Sequence, residues 1–334
     1  MTLKPTTIAL ALSALCCGSG MARAEFRLGL PVACAIGEEC FVQQWPDMDA
    51  GSGATDPFCG MAAYNGHDGL DIRVPSMADV ARGVAVVAPA AGTVKGVRDA
   101  MPDRLIGPTA ADRATVADVE CGNGVVIDHG EGWETQLCHL RRGSVAVETG
   151  DRVEAGARLG EIGASGAAEF PHVHLSVRRN GEKIDPATGK TVGSGCSTGP
   201  TFAGTLFDKQ AVAALAKGPT DVLDLGLAGA PVDYGRLVVE GAPPTPPAGG
   251  EASIVWAWVT NLAKGDTLAF RMVAPDGTPF FEGSGAPLER NQAVYSGFAG
   301  RKRPLAPGRW TVSVEVLRDG EAVASQTRAV EVKG

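Results

Sequence analysis

After Cys196 the chain contains no cysteine and no histidine, and nowhere among its 334 residues is there a Cys-x-x-Cys pair. The missing pair argues against a thiolate zinc site of the finger or ribbon kind. Basic residues are also in deficit, with 30 Lys and Arg against 38 Asp and Glu. A chain of that balance lacks the positive surface that nucleic acid requires. Beyond the first two dozen residues, no apolar run is long enough to make a membrane-spanning helix. Long amphipathic helices are scarce too. Instead 45 glycines and 22 prolines punctuate the sequence, which favours short strands joined by turns.

The N-terminus reads as an export signal. Lys4 precedes a short apolar run from Ile8 to Leu15, and Ala22-Arg23-Ala24 places small residues where a signal peptidase reads them. Cleavage is expected before Glu25. Cys16 and Cys17 do not suit lipid attachment, because Leu15 and Cys16 precede them where a small residue is needed. Loss of Lys4 and Arg23 leaves 28 basic residues against 38 acidic ones.

Six cysteines remain after such cleavage: Cys34, Cys40, Cys59, Cys121, Cys138 and Cys196. An even number in an exported chain reads as a disulfide framework, and six allow fifteen pairings. Proximity in sequence favours Cys34 with Cys40 and Cys121 with Cys138, which leaves Cys59 for Cys196.

The end of the cysteine- and histidine-bearing region serves as a boundary. The expected organisation is a signal (1–24), an N-terminal disulfide-bearing segment (25–62), a β-rich domain (63–200), a linker with a short helix (201–219) and a second β domain (220–334). In the first β domain, Val84 to Val97 holds two apolar runs split by Ala91-Gly92. The runs Gly124 to Asp128 and Glu134 to Leu140 flank Gly130-Glu131-Gly132 as a hairpin would. Residues 98–120 interrupt the pattern as an inserted loop or short helix, a place for a cleft wall. Asp208 and Gly218 bound the short linker helix.

Beyond it, Arg236 to Glu240, Ser253 to Val259, Thr267 to Val273 and Trp310 to Leu317 read as strands. Pro275-Asp276-Gly277 and Asp319-Gly320 read as turns. Regular short strands with such turns suggest an immunoglobulin-like sandwich. Pro243 to Pro247 reads as a stiff loop within it. Trp256, Trp258 and Trp310 are expected to pack in its core, although exposed tryptophans there would offer a surface to a protein or glycan partner.

Three short segments carry chemistry. In Asn65-Gly66-His67-Asp68-Gly69-Leu70-Asp71, an imidazole and a carboxylate lie four residues apart, and a glycine between them lets the chain turn so that both can meet. Alone this reads equally as a glycine-rich loop. In Phe170-Pro171-His172-Val173-His174, the two histidines share one face of a strand, one placed to bind a metal and the other to sit beside it. Two exposed surface histidines would give the same pattern. His139, in Thr135-Gln136-Leu137-Cys138-His139-Leu140, falls near the end of the hairpin, and His129 at the hairpin turn reads as structural.

Taken in order, these segments resemble the LytM/lysostaphin-type peptidoglycan endopeptidases over about residues 64–187. Their pattern is His-x-Gly-x-Asp, then a histidine in Tyr-x-His-Leu, then His-x-His. The likeness extends through Gly124 to Gly130, Thr149 to Gly156, Ile162 to Gly166 and Ile184-Asp185-Pro186. It implies a mainly β fold with an antiparallel sheet and a groove across it. It further implies one Zn2+ held by His67, Asp71 and His174, with His139 and His172 as the catalytic pair. Leu137 departs from the family, which usually has tyrosine there.

A complete set of that kind implies a secreted zinc metalloendopeptidase acting on peptide cross-links of cell-wall peptidoglycan. In a Gram-negative periplasm the bond would join D-Ala to diaminopimelate, and in a Gly-bridged wall it would be Gly–Gly. The alternative is a non-catalytic scaffold or activator of other wall hydrolases, a role taken by members of the fold that have lost metal ligands. A disulfide-rich exported chain without a wall-binding repeat leans toward the periplasm.

Overall fold

The computed structural model describes residues 1–2, 25–199 and 201–334. The expected export signal lies outside the described residues. Within them the chain is mainly β with antiparallel sheets. No helix of the described residues is long and apolar enough to cross a membrane.

The first half contains ten strands: β1 (Phe41–Gln44), β2 (Leu70–Arg73), β3 (Ala85–Val87), β4 (Gly92–Arg98), β5 (Asn123–Gly130), β6 (Trp133–Leu140), β7 (Arg152–Val153), β8 (Arg158–Glu161), β9 (His172–Arg179) and β10 (Glu182–Ile184). Eight of them form one sheet in the order β1-β2-β9-β6-β5-β4-β7, with β10 paired to β9, while β3 and β8 pair separately. The reason for the sheet is visible in β9. Val173, Leu175 and Val177 are fully buried in one core, together with Leu70, Ile72 and Leu137 from the neighbouring strands. The alternate residues His172, His174 and Ser176 therefore face the other side. That core also takes Leu28, Val42 and Trp45 from the N-terminal segment and Ala211 and Leu215 from α3 (Lys209–Leu215). Asp208 caps α3 by accepting from the Ala211 amide.

The six cysteines form three disulfides, Cys34–Cys40, Cys59–Cys196 and Cys121–Cys138. The first and third are the pairs that sequence proximity favours, and Cys59–Cys196 is the pair left over. The insertion after β4 is mostly loop, with one short helix, α2 (Ala110–Ala114), whose start is fixed by a reciprocal cap between Thr109 and Asp112.

The second half contains β11 (Asp221–Ala228), β12 (Ser253–Leu262), β13 (Thr267–Val273), β14 (Pro279–Ser284), β15 (Gln292–Arg301), β16 (Gly308–Arg318) and β17 (Glu321–Val332). They make a three-stranded sheet, β11-β12-β15, and a four-stranded one, β14-β13-β16-β17. Leu225, Val255 and Val259 of the first sheet meet Phe270, Met272, Val312 and Val314 of the second in a shared core. Trp310 lies in that core and gives its indole N–H to the Ala306 carbonyl at 2.8 Å. Trp256 and Trp258 are buried too, but on the opposite face of β12. There they pack with Phe41 of β1 and with Leu105 and Phe170, against the first half of the molecule.

One element differs from the sequence reading. Residues 236–240 are helical, within α4 (Tyr234–Glu240), not a strand. The cause is local. The Asp233 carboxylate accepts from the Arg236 amide at 3.0 Å, Arg236 pairs with Glu240 at 2.8 Å, and Gly241 ends the turn at φ 81°. The cap and the i,i+4 pair outweigh the β preference of Val238 and Val239. Leu237 and Val238 are adjacent and both buried, which a helix face permits and a half-buried strand does not.

Candidate metal centre and groove

Register places the site. Asp71 of β2 lies directly across from His174 of β9, and His174 across from Cys138 of β6. Side chains paired in this way share a face of the sheet. His67, in the loop before β2, reaches the same point.

His67 Nε2 lies 3.1 Å from Asp71 Oδ2 and 3.2 Å from His174 Nδ1, and His174 Nδ1 lies 2.8 Å from Asp71 Oδ1. One donor atom from each residue falls within 4.8 Å of the others, a group that could hold a metal ion. Two nitrogens and a carboxylate at 2.8–3.2 Å from one another suit metal–ligand bonds of about 2.0–2.1 Å around a small divalent cation. His67 and Asp71 are each 2% exposed.

Two glycines in the 65–71 loop have distinct tasks, which corrects the simple picture of a turn at Gly69. Gly66 is the turn residue, at φ 81°. Gly69 is needed for clearance: a Cβ there would come within 2.6 Å of the His174 ring and 2.5 Å of the Leu175 carbonyl. A side chain at 69 would push His174 off the cluster.

Backbone carbonyls orient the rings. His67 Nδ1–H donates to the Trp45 carbonyl at 2.7 Å, which leaves Nε2 as the lone pair facing Asp71 and His174. His139 Nδ1–H donates to the Ser165 carbonyl at 2.7 Å, and His172 Nδ1–H to the Phe170 carbonyl at 2.8 Å. His174 is turned the other way, with Nε2 2.9 Å from Ser176 Oγ and 3.1 Å from Asp68 Oδ1. Such outer partners select which nitrogen is free to bind.

His139 and His172 lie beside the cluster with ring centroids 4.5 Å apart. His172 Nε2 is 3.6 Å from Asp71 Oδ1. Strict alternation along β6 would put His139 on the core face with Leu137. A backbone φ of 63° at His139 breaks the alternation and aims the ring at the site. Non-glycine residues rarely adopt that region, and the strain is of order 1–3 kcal/mol.

The electrostatics divide the histidines. Burial opposes charge on His174, but hydrogen bonds and charge from Asp68 and Asp71 outweigh it and raise its pKa to about 9. Asp71 is held well below the ordinary carboxylate range, since His67, His172 and His174 overcome the cost of its burial. Asp68 is likewise held down against burial, by His174 and Lys183. The three-residue cluster thus draws positive charge to one point. His139 is pushed well below 6.5 by burial and then by His172 and His174. His172 is lowered by burial, against the pull of Asp71. Both therefore present a neutral imidazole at neutral pH.

His129 stands apart. Its Nδ1–H donates to the Ala91 carbonyl and its Nε2 accepts from the Thr135 hydroxyl, both at 2.8 Å, so it ties the hairpin to the start of β4. Leu137 is fully buried in the core, paired across the strands with Leu175.

Sequence reasoning missed several contributors. Asp68 and Ser176 hold the far nitrogen of His174, and the carbonyls of Trp45, Ser165 and Phe170 set three rings. Asp68 lies inside the His67–Asp71 segment and Ser176 continues the His172, His174 face, so both had a positional signal. Backbone carbonyls carry none. Among the insertion residues, Ile106, Pro108 and Arg113 line a cavity of about 570 Å3 over the site.

Comparison with known proteins agrees with the geometry. The description "Peptidase family M23" matches residues 65–186. An uncharacterized metalloprotease of Haemophilus influenzae is 31% identical over 137 residues, which are 41% of this chain and 23% of that protein. The DD-carboxypeptidase/endopeptidase Mpg of Neisseria meningitidis is 34% identical over 111 residues, 33% of this chain and 23% of that one. The chain thus spans under a quarter of the length of these relatives. Among solved structures, the catalytic domain of the prophage-encoded M23 protein EnpA of Enterococcus faecalis is 25% identical. It covers 36% of this chain and 77% of its own, with a TM-score of 0.27. Residues 65–186, the stretch that holds all five histidines, match peptidase family M23.

Proposed function

We propose that the protein is an exported zinc metalloendopeptidase that hydrolyses peptide cross-links of bacterial peptidoglycan. The single observation that carries this reading is the convergence of His67, Asp71 and His174 on one point with His139 and His172 beside it. His67 Nε2, an Asp71 carboxylate oxygen and His174 Nδ1 would hold the ion. Zinc bound by three protein ligands supplies a Lewis acid and a water with pKa near 7. A purely structural site would use a fourth protein ligand instead and would have no need of two further oriented histidines.

The chain's own groups account for the proton transfers. Neutral His139 and His172 each present Nε2 toward the cluster, since Nδ1 of each is committed to a carbonyl. A neutral Nε2 accepts a proton from the attacking water and can return it to the leaving amine. The protonated form then donates a hydrogen bond to the developing oxyanion. Asp68 and Ser176 keep His174 in the tautomer that leaves Nδ1 free.

Three disulfides support export to an oxidising compartment, for which the periplasm is our reading. Relatives named as a DD-carboxypeptidase/endopeptidase and as a peptidoglycan DD-endopeptidase support peptidoglycan as substrate, and a D-Ala–diaminopimelate cross-link is the bond we assign. We take 63–200 as the peptidase domain and 220–334 as a separate sandwich domain.

The test is metal analysis together with digestion of purified cross-linked muropeptides, followed by chromatography. Wild type should bind one zinc per chain and yield monomers. His174→Ala should lose both metal and cleavage. His139→Ala should keep the metal and lose cleavage by at least about 100-fold, the low end of general acid–base contributions. A zinc-loaded wild type that cleaves no cross-link would refute the enzyme reading and favour a scaffold. Loss of zinc from His139→Ala would refute the division of roles.

A further inference from the structure

The groove over the site has two unlike halves. On one side of the histidines it is floored by Gln136, Ser176 and Arg178, with Asp68 at its edge. On the other side, the cavity that contains Asp71, His139 and His172 is walled by Tyr234, Gln292, Ala293 and Val294, all from the second half of the chain. The family match ends at residue 186, so that wall lies outside it.

The wall is fixed to the site by direct bonds. Gln43 of β1 donates its side-chain amide to the Ala293 carbonyl at 2.8 Å, and the Asn261 side chain donates to the Gln43 carbonyl at 2.9 Å. The next residue, Gln44, pairs in register with Asp71. Behind the wall Arg73, fully buried, lies between the rings of Phe170 and Trp258, 4.8 and 5.0 Å from their centroids. Its guanidinium donates to Gln43 Oε1 at 2.9 Å and to the Pro75 carbonyl at 3.0 Å. Tyr234 stands edge-on to Trp258 at 5.9 Å. A buried cation stacked between aromatic rings from both halves holds this arrangement rigid.

The walled half also shows what it would hold. Phe170, Val294 and Tyr234 give it apolar faces, and Arg113 and Glu169 at its rim neutralise each other at 2.5 Å. Gln44 lines it, is 6% exposed, and its Oε1 has no hydrogen-bond partner. A buried amide oxygen without a donor is costly. Rotation of the Gln44 side chain into the cavity it lines would let a peptide N–H lying along the groove satisfy it.

We propose that Tyr234 and the Gln292–Val294 edge form a substrate wall, so that the sandwich selects the peptide on one side of the cleaved bond. An uncharged segment with small apolar side chains occupies the walled half, with a backbone N–H donated to Gln44, while the charged residue of the cross-link occupies the polar half. This rests on the peptidase reading for the identity of the bond, but not for the wall itself.

Two measurements on the full chain separate the two claims. The first is the dissociation constant for purified muropeptide dimers with zinc removed by chelation, so that nothing turns over. The second is kcat and KM on the same dimers with zinc restored. Tyr234→Ala should weaken binding and raise KM about tenfold, with kcat within twofold. Tyr234→Phe, which keeps the ring, should restore both. Phe298→Ala, an exposed change farther along β15, should alter neither. Unchanged binding and KM in Tyr234→Ala, in a variant that melts like wild type, would overturn the wall and leave the peptidase intact. Weakened binding in Tyr234→Ala, together with a wild type that cleaves nothing, would support the wall and overturn the peptidase. Wild-type protein that binds no dimer overturns the wall.

Discussion

The two halves of the molecule solve one problem, a sheet with two faces, in different ways. In the eight-stranded sheet one face packs a core and the other carries Asp71, His172, His174 and Ser176, all nearly buried and polar. That second face contributes chemistry and little apolar burial. In the sandwich, β12 is buried on both faces. Val255, Ala257 and Val259 enter the sandwich core, while Trp256 and Trp258 dock on the first half. The difference appears in the covalent structure. All three disulfides are in the half with the polar face, and the sandwich has none. We infer that the first half depends on cross-links to support a sheet that gives up one face to function, while the sandwich rests on packing alone.

The most severe way to break that contrast is to remove the longest cross-link. Cys59–Cys196 closes a loop of 137 residues. The chain-entropy account assigns such a loop about 4–5 kcal/mol. Replacing both cysteines by serine should lower the calorimetric transition of the first half by 10 °C or more and leave that of the sandwich near its original temperature. A loss below about 1 kcal/mol would mean that packing alone suffices and that the contrast is false.

The converse perturbation belongs in the sandwich. Leu225 is fully buried between its two sheets. Leu225→Ala should cost about 3–4 kcal/mol through lost burial and a residual cavity. Denaturant unfolding followed by tryptophan fluorescence should report this loss. Zinc content at neutral pH in the absence of denaturant should stay at the wild-type level. A parallel loss of metal would show that the site depends on the sandwich core as well as on its wall.

Much of this was legible in the sequence where the signal is local. The paired histidines of β9 follow from a period of two, the disulfides from spacing, and the β5–β6 hairpin from its turn residues. His67, Asp71, His139, His172 and His174 were identified with the site as a set because each lies in a short segment, and His129 was set apart from them. What was hidden depends on distant contacts. Arg73 reads as an ordinary strand arginine, yet it is buried between rings from residues 170 and 258. The positive φ of His139 comes from its tether to the Cys121 and Ser165 carbonyls, not from any preference of its own sequence. At 236–240 the valines signalled a strand, but an Asp233 cap acting over three residues decided for a helix. The packing of Trp256 and Trp258 away from their own sandwich core was hidden for the same reason, since burial reads alike from either face.

The smallest test concerns a buried carboxylate that is not one of the site residues, in the half where polar groups are concentrated. Asp185 is fully buried after β10, where Oδ1 accepts from the Ala187 amide at 3.0 Å and Oδ2 from the Thr188 hydroxyl at 2.5 Å. Burial raises its pKa from 3.8 to about 6, and those hydrogen bonds offset only part of the cost. The folded state therefore holds a proton that the unfolded chain has released. Its contribution is fully present below pH 3.8 and is lost as pH rises through about 6, so the folded state weakens across that window. A shift of this size corresponds to about 2–3 kcal/mol. Asp185→Asn cannot ionise and keeps the Oδ1 acceptor. The stability of this variant relative to wild type should therefore climb from pH 4 to pH 7, as read from urea midpoints at each pH. A flat difference across that range would show that Asp185 is ionised throughout in the fold. The buried polar groups of the first half would then be better solvated than the contrast between the two halves requires.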